Sequence, residues 1–114
     1  MEIAAETLEG GIVKIVLAGR MDIVGTQVID LKLAGHTAAA NAAYIVDVSG
    51  VSFLASIGIR ALLSTAKAVR GRGGRIALLG PDENVDRTLR TAGIDTLIPI
   101  CTDLGAARVA VSGA

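Results

Sequence analysis

The chain has 114 residues, the size of one ordinary domain, and its 11 Lys plus Arg balance its 11 Asp plus Glu. A formal net charge of zero argues against proteins that bind nucleic acid through a broad basic face. Hydrophobic residues make up 52% of the chain and aromatic residues only 2%, which predicts a folded domain with a core of small aliphatic side chains.

The reactive side chains are few. His36, expected on a helix surface, is the only histidine, and Cys101, expected as a small apolar filler at a strand end, is the only cysteine. This excludes an intramolecular disulfide and gives no zinc-ligand spacing, so we expect no metal and no cofactor. No run approaches the roughly 18 apolar residues of a membrane span, and the amino terminus lacks the basic start of a signal peptide. These features predict a cytoplasmic protein without membrane insertion and without enzymatic activity.

The first third of the chain predicts a hairpin and a helix. Residues 7–11 form the turn, and the run of aliphatic residues at 12–18 forms the second strand, which ends at residues 19–22. A helix over residues 24–40 follows, and Gly35 either weakens it by about 1 kcal/mol or marks a close approach to another element. The apolar positions that fit one face of this helix are Val24, Val28, Leu31, Gly35 and Ala38.

The middle of the chain predicts a short strand, a loop and the clearest amphipathic helix. The strand covers Tyr44–Val48, and the loop at 49–55 leads to Ser56. The helix covers Ile57–Val69. Its apolar stripe consists of Ile59, Leu62, Leu63, Ala66 and Val69.

The last third predicts two strands and two helices. Residues 75–79 form a strand buried on both faces, and Asp82 caps a helix whose inner face holds Val85, Leu89 and Ala92. Glu83–Arg87 and Asp86–Arg90 have the i,i+4 spacing at which oppositely charged side chains stabilise a helix. Gly93, followed by Ile94, is expected to end the helix. Residues 97–100 form a short strand that Pro99 places towards a sheet edge, and 103–111 form a last helix before frayed final residues.

The element order is therefore β, β, α, β, α, β, α, β, α. Strands that alternate with helices imply crossover connections and a parallel sheet. We predict one compact α/β domain over residues 1–114, with a mainly parallel mixed sheet, an antiparallel amino-terminal strand and about four helices.

The junction at 48–60 is the main candidate for function, because sites in such sheets collect where strands lead into helix amino termini. Ser56 stands at the expected N-cap of the amphipathic helix, and capping alone explains a serine there. An exposed hydroxyl at this position is also suited to carry a phosphate, since free backbone N–H groups and the helix dipole favour an anion. A nucleophilic serine lacks partners, because no Gly-x-Ser-x-Gly motif is present and His36 is far away in sequence.

Other polar residues have both structural and functional interpretations. Asp22 is a turn residue or helix cap, or part of a site. Asp47 lies inside a strand, where burial with a hydrogen-bond partner is expected rather than catalysis. Arg70, Arg72 and Arg75 surround a glycine turn, and they either bind a phosphate or acidic partner or form a solvated loop.

Several stretches together resemble the STAS family, the domains of bacterial anti-sigma factor antagonists and of sulfate-transporter tails. The resemblance covers nearly the whole chain, and it depends on the ordered set of motifs. These are Gly19-Arg20-Met21-Asp22, Tyr44-Ile-Val-Asp47-Val-Ser-Gly-Val-Ser-Phe53, Ser56-Ile-Gly58-Ile-Arg-Ala-Leu-Leu63, Arg75-Ile-Ala-Leu-Leu-Gly80-Pro81 and Val85-x-x-x-Leu89-x-x-x-Gly93-Ile94.

The resemblance implies a regulatory switch that is not an enzyme. In the antagonist branch, an unphosphorylated domain binds a serine-kinase anti-sigma factor and frees the sigma factor, and phosphorylation of one serine ends that binding. By position, Ser56 is the phosphoacceptor. The surface that binds the kinase is expected to consist of Asp22, Ala55, Ile57, Gly58, Ile59 and Arg60.

Two departures from the family motif keep a second interpretation open. Ala55 replaces the usual aspartate, and Ile57 replaces a second small hydroxyl residue. Both changes erode the phosphoacceptor motif without affecting the fold. The alternative is a phosphorylation-independent STAS interaction module of a lipid-transport complex or of a stressosome-like scaffold.

Overall fold

The structure is a computed structural model that describes residues 1–112. The predicted fraying of the last residues falls on 113 and 114, which lie outside the described residues. Two 3-10 turns, Glu9–Gly11 and Ile94–Thr96, supplement the main elements. The strands and helices are β1 (Glu2–Thr7), β2 (Val13–Met21), α1 (Ile23–His36), β3 (Ala43–Leu54), α2 (Ser56–Gly71), β4 (Arg75–Leu79), α3 (Glu83–Thr91), β5 (Ile100–Cys101) and α4 (Leu104–Val111).

The five strands form one sheet in the order β1-β2-β3-β4-β5. β1 is antiparallel to β2, and the other three pairs are parallel. The element order, the mixed sheet, the antiparallel amino-terminal strand and the four helices confirm the predicted fold class. The edge position of the last strand is also confirmed.

The sheet buries different helices on its two faces. On one face, alternate strand residues such as Val46 and Leu78 pack with apolar residues of α1, α2 and α3 in the larger core cluster. On the other face, Ile45 and Ala77 join a smaller cluster that includes Ala107 and Val111 of α4. Residues 76–79 of β4 are all buried, as predicted for a strand covered on both sides.

β2 and β3 both extend beyond their predicted ends. β2 continues through residues 19–21, and β3 runs through most of the segment predicted as a loop, as far as Leu54. The pairing of β2 with β3 shifts register between Val16 and Ala18 and again between Gly19 and Arg20. These bulges absorb two extra residues of β3, so Ser49, Gly50 and Ser52 remain in the strand although they are typical turn residues. The loop prediction was therefore wrong at 49–54.

The outline of α1 is confirmed, but the predicted end at residue 40 is wrong, because the helix ends at His36. The residues of α1 that the fold buries are Gly25, Thr26, Ile29 and Leu33. The stripe named from the sequence instead faces outwards, and Val24 and Leu31 are both exposed. α1 is apolar on two faces, so periodicity alone does not select the buried one.

In the carboxyl-terminal third, the last strand and the end of α3 differ from the predictions, and the cap of α3 matches them. The strand predicted at 97–100 is wrong in position: Leu97 is exposed and β5 begins at Ile100. Pro99 has no N–H, but its carbonyl accepts from the Leu78 N–H at 2.8 Å, so the sheet ladder starts there. Ala92 ends α3 and is exposed instead of lining its inner face. The cap at Asp82, whose carboxylate accepts from Val85 N–H at 2.8 Å, is confirmed.

The other expected features of α3 are also confirmed. Arg87 lies 3.4 Å from Glu83, and Arg90 lies 3.0 Å from Asp86. Gly93 adopts φ 77° after the helix, and the following Ile94 is buried.

Gly58 provides a stability test of how α2 sits on the sheet. A Cβ at this buried position would lie 2.8 Å from Met21 Cβ and 2.8 Å from Leu54 Cδ1, so we expect Gly58→Ala to lower the free energy of unfolding by about 1–3 kcal/mol. Gly35→Ala is the matched control, because a Cβ there meets nothing within 4 Å and helix propensity favours alanine by about 1 kcal/mol. Urea unfolding of both variants measures the difference. Equal stabilities would contradict the packing argument.

Candidate functional site

The candidate site lies at the carboxyl ends of β2 and β3, where α1 and α2 begin. The Ala55 N–H donates to the Met21 carbonyl at 3.0 Å, which brings the two strand ends together. A Cβ on Gly25 would overlap the Arg20 carbonyl oxygen, and one on Gly58 would press on Met21. Glycine at both positions therefore lets the first turns of both helices pack directly on the end of β2. Asp22 directly follows Met21, and Ser56 directly follows Ala55. Both residues therefore lie at this edge of the sheet.

Asp22 caps α1. Its carboxylate accepts from the Gly25 N–H at 2.8 Å, and Arg20 Nε lies 3.4 Å from the same side chain. The Gly25 hydrogen bond, helped by Arg20, holds the pKa of the Asp22 carboxyl below its ordinary value. The interpretation of Asp22 as a helix cap is therefore confirmed, and its charge remains available at the sheet edge.

Ser56 does not cap α2, contrary to the expectation from sequence. The N-cap residue is Ala55, in an extended conformation at φ −91° and ψ 171°, and no side chain among residues 1–112 caps this helix. Ser56 is the first helical residue and is exposed. Its hydroxyl makes no hydrogen bond within residues 1–112, so helix capping does not account for this serine.

α2 is the exception among the four helices. Asp22, Asp82 and Asp103 cap the other three, and each accepts a backbone N–H three residues on at 2.8 Å. At α2 the corresponding Gly58 N–H instead donates to the backbone carbonyl of Ala55 at 2.9 Å. The N–H groups of Ser56 and Ile57 have no acceptor in the described part of the chain. The longest helix thus presents an open amino end, which favours an anion.

The remaining predicted site residues fall into two groups. Arg60 is exposed one turn after Ser56, and Ile57 is half-buried beside it. Gly58 is buried, and Ile59 is half-buried against the larger core cluster. Ile57 and Arg60 can therefore form part of a surface, whereas Gly58 and Ile59 mainly hold α2 on the sheet.

Two further residues at this edge were not singled out from the sequence. The Arg20 guanidinium carbon lies 4.4 Å from the centre of the Phe53 ring, and Phe53 is 42% exposed. This cation–π contact, together with the Arg20–Asp22 ion pair, orders the exposed end of β2. Arg20 and Phe53 are paired across β2 and β3, and the two bulges that create this pairing carry no clear sequence signal.

Asp47 and Arg72, the other polar residues considered from the sequence, both have hydrogen-bond partners within the fold. Asp47 is half-buried and accepts from the backbone N–H and the hydroxyl of Ser49 at 2.9 and 2.6 Å, as expected for a satisfied carboxylate. Arg72 donates to the Thr37 carbonyl at 2.8 Å, in the loops at the amino ends of β3 and β4. This is the opposite edge of the sheet from Ser56.

The lone histidine and the lone cysteine are placed as expected. His36 is exposed at the end of α1. Cys101 is buried, and this burial raises the pKa of its thiol. Among residues 1–112, no group of three or more His, Cys, Asp or Glu is placed to hold a metal ion. No helix in that part of the chain is long and apolar enough to cross a membrane.

The fold and this sheet edge define a STAS domain. The chain matches the family profile described as "Mlab, STAS domain" over residues 4–99, and it therefore belongs to the STAS family. A search of curated protein sequences gave no match.

Solved structures of anti-sigma factor antagonists share the fold. One from Mycobacterium paratuberculosis is 22% identical with a TM-score of 0.86, over 97% of this chain and 93% of that chain. The antagonist SpoIIAA in its unphosphorylated form is 21% identical with a TM-score of 0.75, over 95% of each chain. The Bacillus cell fate determinant SpoIIAA in its phosphorylated form is 21% identical with a TM-score of 0.67, over 92% and 96%. At these identities the likeness establishes the fold.

Replacing Ala55 by aspartate tests the open end of α2. The backbone of Ala55 is extended like that of the three aspartate caps, so we expect Ala55→Asp to raise the free energy of unfolding by about 1 kcal/mol. Asp82→Ala is the reciprocal control and should lower it by a similar amount. Chemical denaturation measures both. No gain in Ala55→Asp would mean that α2 is already satisfied at its amino end.

The lowered pKa of Asp22 predicts a pH-dependent contribution to stability. Because the carboxyl pKa is lower in the folded state, its charge stabilises the protein above the unfolded pKa of about 3.9, and this stability is lost as the pH falls through the folded value. Asp22→Asn keeps a capping oxygen but removes the charge. We expect the variant to be less stable near neutral pH and the difference to shrink as the pH falls below about 4. Unfolding measured between pH 7 and about 2 checks this, and a constant difference would refute it.

Proposed function

We propose that this protein is an anti-sigma factor antagonist whose switch is Ser56. The unphosphorylated form binds a serine-kinase anti-sigma factor and so releases a sigma factor, and phosphorylation of Ser56 ends that binding. The observation that carries this proposal is the exposed Ser56 hydroxyl, which has no partner within residues 1–112 and lies at the uncapped amino end of α2. The protein acts as the substrate of its partner, so it needs no catalytic base of its own.

The surroundings of Ser56 suit a phosphate. Two unpaired backbone N–H groups and the positive end of the α2 dipole are available to an anion there. Arg60 is exposed at the i+4 position and makes no ion pair in the described chain, so it can reach a phosphate on Ser56. Phosphorylation therefore adds about −1.5 to −2 charge at the surface without disturbing the core.

The same charge would weaken a docked partner. The proposed partner-binding surface combines Asp22, Ala55, Ile57 and Arg60, supported from below by Gly58 and Ile59. A phosphate on this surface would face the charge of Asp22 and any acidic groups of the partner. It would also lose hydration when the complex forms. We propose that Arg20 and Phe53, exposed at the same edge, also contact the partner.

The structures with the same fold support this proposal. SpoIIAA has been solved in both an unphosphorylated and a phosphorylated form, so a protein with this fold accommodates the modification. The chain departs from the family motif at Ala55. Because the usual aspartate is missing there, the surface that a kinase would contact is less negative.

The alternative is a phosphorylation-independent interaction module, as in a lipid-transport complex or a stressosome-like scaffold. Ala55 and Ile57 favour it, because a methyl group and an aliphatic side chain flank the hydroxyl. In this case the open end of α2 would bind an acidic side chain of a partner, with no covalent step.

A kinase assay separates the two functions. The purified protein is incubated with ATP and a serine-kinase anti-sigma factor from the same genome, and we expect a mass gain of one phosphate, mapped to Ser56. Ser56→Asp should weaken kinase binding at least about tenfold, which is about 1.4 kcal/mol. Ser112→Asp, at an exposed serine that ends α4 on the other face of the sheet, should leave binding unchanged. No phosphate on Ser56 together with wild-type binding by Ser56→Asp would favour the alternative.

A further inference from the structure

α1 carries an exposed apolar surface that the fold does not use. Val24 is 70% exposed, Val28 59% and Leu31 87%. Together with the exposed Gly35, these residues recur at intervals of four, three and four, so they lie along one face of the helix. We call this surface, Val24, Val28, Leu31 and Gly35, the α1 stripe.

The α1 stripe is free of charge. Of the charged residues of α1, Asp30 lines the grooves between α1 and α2, and Lys32 lines a cavity between α1 and β1. Asp30 therefore leans away from the stripe, whereas Lys32 lies at its edge, because Val28 lines the same cavity. Another apolar helix can approach the stripe without burying an unpaired charge.

No contact within the described residues explains the glycine at position 35. A Cβ built on it meets nothing within 4 Å, so it does not mark a close approach to any described element. A glycine in a helix costs stability relative to alanine. It does allow the backbone of a neighbouring helix to come close.

We propose that the α1 stripe pairs with the α1 stripe of a second copy, with the two helices antiparallel. If the two-fold axis passes between positions 29 and 30, Val28 lies opposite Leu31 of the second copy. Val24 then lies opposite Gly35, so the larger side chain fills the space that the glycine leaves. Such a self-complementary register is what a two-fold symmetric contact requires. The net charge of zero gives the two copies no overall repulsion.

The size of the surface sets the strength of the pair. A helix of 14 residues is about 21 Å long, and one helix face buries less than the roughly 800 Å² per partner of a standard stable interface. The pair is therefore a weak dimer that forms at high protein concentration. This inference does not depend on Ser56 or on a kinase.

Sedimentation equilibrium over a range of protein concentrations tests the association. We expect the apparent mass to rise towards that of two chains for the wild type, and Leu31→Glu to abolish the rise. Val109→Glu is the matched control, because Val109 is a similarly exposed apolar residue, 75%, on α4 across the sheet. A wild type that stays monomeric, or a loss of association that is equal in both variants, overturns the proposal.

Disulfide trapping tests the register. Val24→Cys and Gly35→Cys proteins are prepared separately, mixed and oxidised. We expect the mixture to form crosslinked dimers far faster than either protein alone, because only the mixed pair brings positions 24 and 35 together. The native Cys101 is buried and its thiol pKa is raised, so it reacts slowly. Crosslinking that is no faster in the mixture than in the separate proteins overturns the antiparallel register.

Discussion

The candidate site depends on the contact between the end of β2 and the first turns of α1 and α2. Gly25 and Gly58 remove the side chains that would otherwise strike Arg20 and Met21, and the Ala55 N–H is fixed on the Met21 carbonyl. Two helix amino termini thus meet at one sheet edge. Both helix dipoles point their positive ends there, which makes this edge the natural place for a site that responds to negative charge.

The two helix starts at this edge differ in how their backbone groups are satisfied. α1 uses the charge of Asp22 for its own cap, and α2 has only the methyl group of Ala55. A cap contributes on the order of 1 kcal/mol, so α2 forgoes stability that the other helices retain. In return, its free N–H groups and the Ser56 hydroxyl remain available to a partner or a phosphate. Natural proteins commonly give up local stability where a position serves a function, and the proposed role of Ser56 would account for the missing cap.

The order of elements was predictable because each element has its own local signal: aliphatic runs for the strands, Asp82 for a cap, Gly93 for a stop. What failed depends on tertiary pairing. The continuation of β3 through Ser49 and Gly50 requires bulges against β2, and the Arg20–Phe53 contact follows from the same pairing. The position of Ser56 was predictable to within one residue. That single residue, however, separates a capping serine from one whose hydroxyl is free.

The face of α1 that was predicted to be buried is exposed, and a second apolar face is buried in its place. Ile29 and Leu33 point to the core, and Val28 and Leu31 point outwards, so a periodic stripe exists on both sides of one helix. A helix with apolar residues on two opposite faces is usually covered on both. Here the sheet covers one side only. The residues of the α1 stripe carry no charge to titrate or to be screened by salt, whereas the Ser56 edge combines Asp22, Arg20 and Arg60. Contacts through the α1 stripe would therefore persist at high ionic strength, and contacts through the Ser56 edge would weaken, because salt screens exposed charges and strengthens apolar burial.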